Sequence, residues 1–165
     1  MHSRIKLNKG FVLLETIFYV VLFGILSVVV INSLITMTQA FQATSISAQL
    51  SQGSNIMEKI TREIRQSSGI NAISASSLTL DTLDDGGQDK TVEFLLVGTN
   101  IQLIENGKSS GNLNATNVSI LDLNFTQITT QEGIAVKIFL EIKSNDDPTS
   151  RSEKFYNTAV LRGSY

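Results

Sequence analysis

Residues 9–31 read KGFVLLETIFYVVLFGILSVVVI, a Lys-Gly pair followed by an apolar run that a single acid, Glu15, interrupts. As an α-helix, residues 11–31 would be about 32 Å long, which matches a bilayer hydrocarbon core of about 30 Å. The stretch therefore predicts a membrane-spanning helix. A carboxylate inside such a helix costs up to about 2.5–3.5 kcal/mol on insertion scales, so we expect Glu15 to have a partner or a function.

The first ten residues, MHSRIKLNKG, form a short basic leader before this run. Basic residues ahead of a span hold that end in the cytoplasm, which predicts a single-pass protein with a cytoplasmic N terminus. An ordinary secretory signal has an apolar core of about 7–15 residues followed by small residues at the cleavage site. The run here is longer and residues 33–40 offer no convincing site, so we do not expect cleavage by that route.

A second pattern begins after the apolar run and is also helical. Apolar or small residues recur every three or four positions, with polar residues between them: Ala43, Ile46, Leu50, Gly53, Met57, Ile60 and Ile64. This one-sided stripe is typical of an amphipathic helix. A partner helix in a coiled coil could cover the stripe, but cover by the chain's own sheet is the simpler interpretation.

The two patterns together predict one long helix over residues 11–68, of which residues 11–31 span the membrane and residues 32–68 are amphipathic. Basic residues near its end suit the negative end of the helix dipole. Gly69 is expected to supply the C-terminal turn.

Residues 69–165 predict a β-rich globular head. Apolar and polar residues alternate there, as in half-buried strands, over residues 78–80, 91–97, 101–105, 118–128, 134–142 and 154–161. Asn106-Gly107 predicts a hairpin turn. In the fourth of these segments Leu121, Leu123 and Phe125 are expected on one face. The fold class is therefore α+β, with the long N-terminal helix packed against a C-terminal antiparallel sheet.

Composition excludes several classes of function. The chain has no cysteine, so thiol catalysis and disulfides are excluded, and its one histidine is His2, in the leader. The formal net charge is -2, and because Arg4, Lys6 and Lys9 precede Gly10, the rest carries -5. A basic footprint for nucleic acid is absent from that part. No serine lies in a nucleophile motif and no glycine-rich phosphate loop is present, so we predict no enzymatic activity.

Two acidic segments have the carboxylates that a metal site would need. Residues 81–89, DTLDDGGQD, place four carboxylates near glycines, which suits a hard cation such as calcium, but they lack EF-hand spacing and a closing glutamate. A solvated turn is the better interpretation, with calcium as the alternative. Asp146-Asp147 similarly predicts a turn before Pro148 rather than a ligand pair. We therefore predict no cofactor and no metal site.

The basic leader ending in Gly10, the Phe11 that follows it, Glu15 four residues later, the long helix and the β-rich head together resemble type IV pilins and the pseudopilins of type II secretion. The residues that carry the resemblance are KGFVLLE at 9–15, with Gly24 further along. The head has no cysteine pair and the apolar segment has no proline, which favours a minor subunit.

The resemblance implies roles for particular residues. Prepilin peptidase would cut between Gly10 and Phe11 and methylate the new amino group of Phe11. Glu15 would pair with the N-terminal amine of a neighbouring subunit, and Gly24 would allow close helix packing. Other pilin or pseudopilin subunits, the peptidase and the inner-membrane assembly platform are the implied partners.

The implied function is that of a structural subunit, stored in the cytoplasmic membrane and then assembled into an extracellular or periplasmic filament. A pilus, a secretion pseudopilus and a DNA-uptake device all fit the signature. The alternative is an uncleaved single-pass anchor that presents a β-rich binding module to the periplasm or the exterior. In that case Glu15 would be an incidental acid near the end of the anchor.

Overall fold

The computed structural model describes residues 9–84, 86–131 and 133–161 and confirms the α+β class. Two helices, α1 (Lys9–Leu50) and α2 (Gln52–Gln66), precede eight strands. The strands are β1 (Gly69–Ile73), β2 (Ser77–Leu83), β3 (Asp89–Val97), β4 (Asn100–Glu105), β5 (Lys108–Asn112), β6 (Val118–Thr130), β7 (Gly133–Ser144) and β8 (Ser152–Val160). The chain divides into two compact units between Thr44 and Ser45, so α1 contributes to both.

The first unit is the apolar part of α1. From residue 12 to residue 44 every side chain is exposed except that of Ser27, which is half-buried. The helix is long and apolar enough to cross a membrane, with a mean hydropathy of 2.5 over its most apolar window and none of that window buried. Five of its hydroxyl side chains donate to carbonyl oxygens one turn earlier and so add little polarity to the surface: Thr16, Ser27, Thr36, Thr38 and Thr44.

The predicted long helix is confirmed from Val12 to Gln66, with one irregularity at Ser51, which separates α1 from α2. The Ser51 hydroxyl donates to the carbonyl oxygen of Ala48 (2.7 Å), and the Ser54 amide donates to Ser51 three residues back rather than four (3.1 Å). Ser51 itself has helical dihedral angles (φ -64°, ψ -17°), so the irregularity is local. A serine inside a helix competes with its backbone hydrogen bonds in this way.

Helix α2 ends two residues before the predicted boundary. Ser67 turns to extended backbone (ψ 146°), and its amide donates to the carbonyl oxygens of Glu63 and Ile64. The prediction that Gly69 supplies the C-terminal turn is wrong, because Gly69 is already the first residue of β1 and pairs with Asp81 of β2.

The head contains two antiparallel sheets where one was predicted. The first has the order β1-β2-β3-β4-β5 and the second β6-β7-β8. Asn106 and Gly107 form the predicted turn, between β4 and β5, and both have positive φ (49° and 74°), as a type I′ turn requires.

One predicted strand face is wrong at Leu121. The pairing of β6 with β7 shifts between Ile120, which lies opposite Ile142, and Asp122, which lies opposite Glu141, so Leu121 is the extra residue of a β-bulge. Ile120 is buried in its place and Leu121 is 46% exposed. Leu123 and Phe125 lie on the buried face as predicted.

The amphipathic stripe is covered by the chain's own sheets, as predicted. Ile56, Met57, Ile60 and Ile64 of α2 share one buried cluster with residues of both sheets, including Leu80 of β2 and Ile138 of β7. The inward residues of β7 alternate with outward ones along the strand. Ala43, by contrast, lies in the first unit and is exposed, so the stripe begins at Ile46.

Gly53 lies where side chains of the second sheet pack tightly against the helix. A Cβ atom built on Gly53 would lie 2.2 Å from Cε2 of Phe155 and 2.8 Å from Cδ1 of Ile142. Real Cβ atoms do not approach other heavy atoms that closely, so any side chain here must displace the Phe155 ring and the end of the Ile142 side chain. The absence of a side chain at Gly53 therefore leaves room for Phe155 of β8 and Ile142 of β7 to pack against the helix.

Gly53→Ala is expected to lower the free energy of unfolding of the head by about 1–3 kcal/mol through overpacking, even though alanine favours helix by about 1 kcal/mol. Gly69→Ala is the matched control, because nothing lies within 4 Å of its Cβ position. Urea denaturation followed by circular dichroism measures both. Equal stabilities of the Gly53→Ala variant and the wild type would contradict the close approach.

Candidate functional site

Glu15 lies on α1 among exposed apolar side chains. The Tyr19 hydroxyl donates to Oε1 of Glu15 across one helical turn (3.2 Å). The Tyr19 ring meets that of Phe18 edge-on, with ring centroids 6.4 Å apart. The acid is thus surrounded by apolar surface, with a phenol as its polar neighbour, and this arrangement suits recognition of a positive group rather than bond-making chemistry.

The helical repeat explains why Glu15 and Tyr19 meet. Residues four apart lie on the same helix face, one turn above the other. Thr16 and Ser27, the other hydroxyl-bearing residues of residues 12–31, donate to the carbonyl oxygens of Val12 and Phe23. Their hydroxyls are therefore engaged by the helix itself, and Tyr19 donates to Glu15.

The predicted processing site lies at the start of α1. The helix begins at Lys9, so the backbone of Gly10 and Phe11 is helical. Residues 1–8 and the side chains of residues 9–11 lie outside the described part of the chain. Cleavage between Gly10 and Phe11 and methylation of Phe11 remain predictions.

Gly24 lies further along the same exposed segment. Nothing within the described chain comes within 4 Å of a Cβ atom built on it. No contact among the described residues therefore requires a glycine there. A packing role for Gly24 concerns neighbouring helices and remains a prediction.

The acidic segment at 81–89 has the hydrogen bonds of a turn. Oδ1 of Asp84 accepts from the backbone amides of Gly86 (2.9 Å) and Gln88 (2.8 Å), and Oδ1 of Asp81 accepts from Nδ2 of Asn71 (3.1 Å). Asp85 lies outside the described residues. Among the described residues, no three acidic or histidine side chains converge where they could hold a metal ion.

Asp147 lies in the predicted turn between β7 and β8. Its side chain is 1% exposed. Oδ1 accepts from the hydroxyl (2.7 Å) and the amide (2.9 Å) of Thr149, and Oδ2 accepts from Nε of Arg151 (2.9 Å). These donors, the Thr149 hydroxyl foremost, hold the pKa of Asp147 well below its usual value. The carboxylate therefore stabilises the loop, as a structural residue would.

Sequence reasoning missed a buried polar cluster that joins the end of α1 to the head. Gln49 is 6% exposed. Its Nε2 donates to Oδ2 of Asp146 (2.7 Å), and its Oε1 accepts from the Ser144 hydroxyl (2.5 Å). Nothing in the sequence around Gln49 indicates that its hydrogen-bond partners, Ser144 and Asp146, lie 95 and 97 residues away. The Glu15–Tyr19 contact was also missed, although its spacing of four residues is visible in the sequence.

A groove of about 730 Å³ lies between α2 and β8 in the second unit. It is lined by Glu58, Thr61, Arg62, Arg65, Gln66, Thr158 and Val160. The hydroxyl of Thr61 accepts a hydrogen bond from Nδ2 of Asn157 (2.9 Å), and so serves the packing of α2 on β8. The groove pairs no nucleophile with a base, and the absence of enzymatic activity stays a prediction.

No protein-family model, no curated protein and no solved structure matches this chain.

The lowered pKa of Asp147 predicts how stability depends on pH. Because the folded-state value is below the unfolded value of about 3.9, the carboxylate stabilises the fold above that pH and the contribution is lost as pH falls. Asp147→Asn is expected to reduce stability at pH 7 and to converge on the wild type toward acid. Asp122→Asn, at an exposed position of β6, is the matched control. Urea midpoints at pH 7 and pH 3 test this, and a wild-type midpoint for Asp147→Asn at pH 7 would contradict it.

Proposed function

We propose that this chain is a structural subunit, a minor pilin or pseudopilin, of a type IV pilus-like filament or a type II secretion pseudopilus. The observation that carries the proposal is the coincidence of KGFVLLE at 9–15 with the first turns of a helix whose side chains are exposed as far as residue 44. Prepilin peptidase cuts the chain between Gly10 and Phe11, and methylates Phe11.

The exposed apolar surface supports assembly through this helix. Its large apolar side chains are mostly exposed, with exposed fractions of 63–71% for Leu13, Leu14, Phe18 and Phe23. A continuous apolar surface of this kind needs either lipid or other proteins around it. Before assembly the bilayer supplies the lipid. After assembly, the parallel helices of a filament core supply the surrounding protein.

Glu15 supplies the specificity of that assembly. A carboxylate on apolar surface is costly unless a positive group lies close to it. Cleavage after Gly10 creates such a group, the amine of Phe11, on every subunit. The amine of one subunit docks on Glu15 of the next and fixes the axial position of the two helices.

The second unit supports the proposal that the head stays folded when the N-terminal helix leaves the bilayer. Every buried apolar residue of the described chain lies at Ile46 or beyond it, and α2 provides its own share of that core. The head can therefore stay folded while residues 11–31 leave the bilayer. In this proposal the N terminus faces the cytoplasm before assembly, the assembly platform extracts the subunit, and the head faces the exterior of the filament.

Glu15→Val is expected to abolish incorporation into filaments while leaving cleavage intact, because the docking amine loses its partner. Thr16→Val is the matched control, since the Thr16 hydroxyl is engaged by its own helix. Immunoblots of sheared filaments and of membranes from the same cells measure the two fractions.

Normal incorporation of Glu15→Val would contradict the pairing role of the carboxylate. A wild-type chain that stays entirely in the membrane fraction would favour the uncleaved anchor with a binding head.

A further inference from the structure

Glu15 and Tyr19 form the one side-chain to side-chain hydrogen bond seen among the described residues of the apolar segment 12–31. The hydroxyls of Thr16 and Ser27 donate to backbone carbonyls of the same helix. Within the described chain Oε1 of Glu15 accepts from Tyr19, while Oε2 accepts from no other residue. One carboxyl oxygen is thus held and the other is available.

We propose that Tyr19 is a positioning residue for Glu15, a role that rests on the proposed function. It holds Oε1 and leaves Oε2 available to receive the amine of a neighbouring subunit. Tyr19 also gives Glu15 a polar partner while the subunit is stored in the bilayer.

The physical reason is twofold. A polar group in an apolar medium without a hydrogen bond carries a large desolvation penalty, which the phenol reduces. A glutamate side chain also loses rotamer freedom when it is fixed, and a carboxylate already held by Tyr19 loses less of it on docking. Phenylalanine at this position would keep the ring and its contact with Phe18 but provide neither effect.

A tyrosine in a membrane helix has a second physical explanation, since an amphipathic ring that reaches the interface anchors the helix there. Tyr19 lies about 12 Å inside the span that begins at residue 11, so it would have to extend toward that interface. An anchor needs only the hydroxyl near the headgroups. A positioning residue needs the carboxyl of Glu15 as its acceptor. The two explanations therefore differ in whether the environment of the Tyr19 hydroxyl depends on Glu15.

The first test is spectroscopic and does not require assembly. The full-length chain has three tyrosines, Tyr19, Tyr156 and Tyr165. Labelling the ring Cζ atoms with carbon-13, in protein reconstituted in lipid nanodiscs, gives one resonance for each, assigned by single tyrosine-to-phenylalanine variants. Glu15→Val is expected to shift the Tyr19 resonance and to leave that of Tyr156 unchanged. An unchanged Tyr19 resonance would overturn the inference.

The second test is functional. Tyr19→Phe is expected to reduce incorporation into filaments about two- to tenfold, the factor that corresponds to one net hydrogen bond, whereas Glu15→Val abolishes it. Tyr156→Phe, on the head, is the matched control. The double variant Tyr19→Phe with Glu15→Val is expected to behave as Glu15→Val does.

The outcomes separate the two proposals. If Tyr19→Phe is incorporated normally while Glu15→Val is absent from filaments, the positioning role is overturned and the proposed function stands. Normal incorporation of both variants would overturn both proposals. A shifted Tyr19 resonance together with reduced incorporation of Tyr19→Phe would support the positioning role.

Discussion

Ile60 and Ile64 of α2 are fully buried between strands of the two sheets, and the packing around them holds the head together. The same helix face carries Gly53, where the absence of a side chain lets Phe155 and Ile142 approach. The Gln49 cluster ties the last turn of α1 to the β7–β8 loop. These contacts make the helical region from Ile46 onward a part of the head, since a sheet with one apolar face needs a second layer.

Residues 12–44 differ from this region in what surrounds them. Their side chains are exposed within the described chain, so the apolar ones need an environment from outside it, either lipid or other helices. In the proposed function, lipid surrounds these side chains before assembly and other helices surround them afterwards. In this proposal Glu15 makes contact with other helices selective, because a carboxylate is stable among apolar helices only where a positive group meets it. Tyr19, which donates to Glu15, would keep the carboxylate oriented until then.

The parts of the fold that were predictable have strong periodicities. The stripe from Ile46 to Ile64 and the alternation along β7 extend over many residues, and both were confirmed. Strands β1 and β5 were not predicted because each has only five residues, and β5 is also wholly polar. Only pairing with a neighbouring strand defines them. The bulge at Leu121 depends on the register with β7, which is non-local. Glu15 was recognisable as a lone acid in an apolar run, but its contact with Tyr19 depends on side-chain conformation.

In the proposed function, residues 1–10 are a leader and α1 of the mature subunit begins with a modified Phe11. The intact mass of the protein extracted from the membranes of its own cells tests this most directly. We expect a chain that lacks residues 1–10 and carries one added methyl group on the amine of Phe11. A full-length chain, or one cut elsewhere, would contradict it.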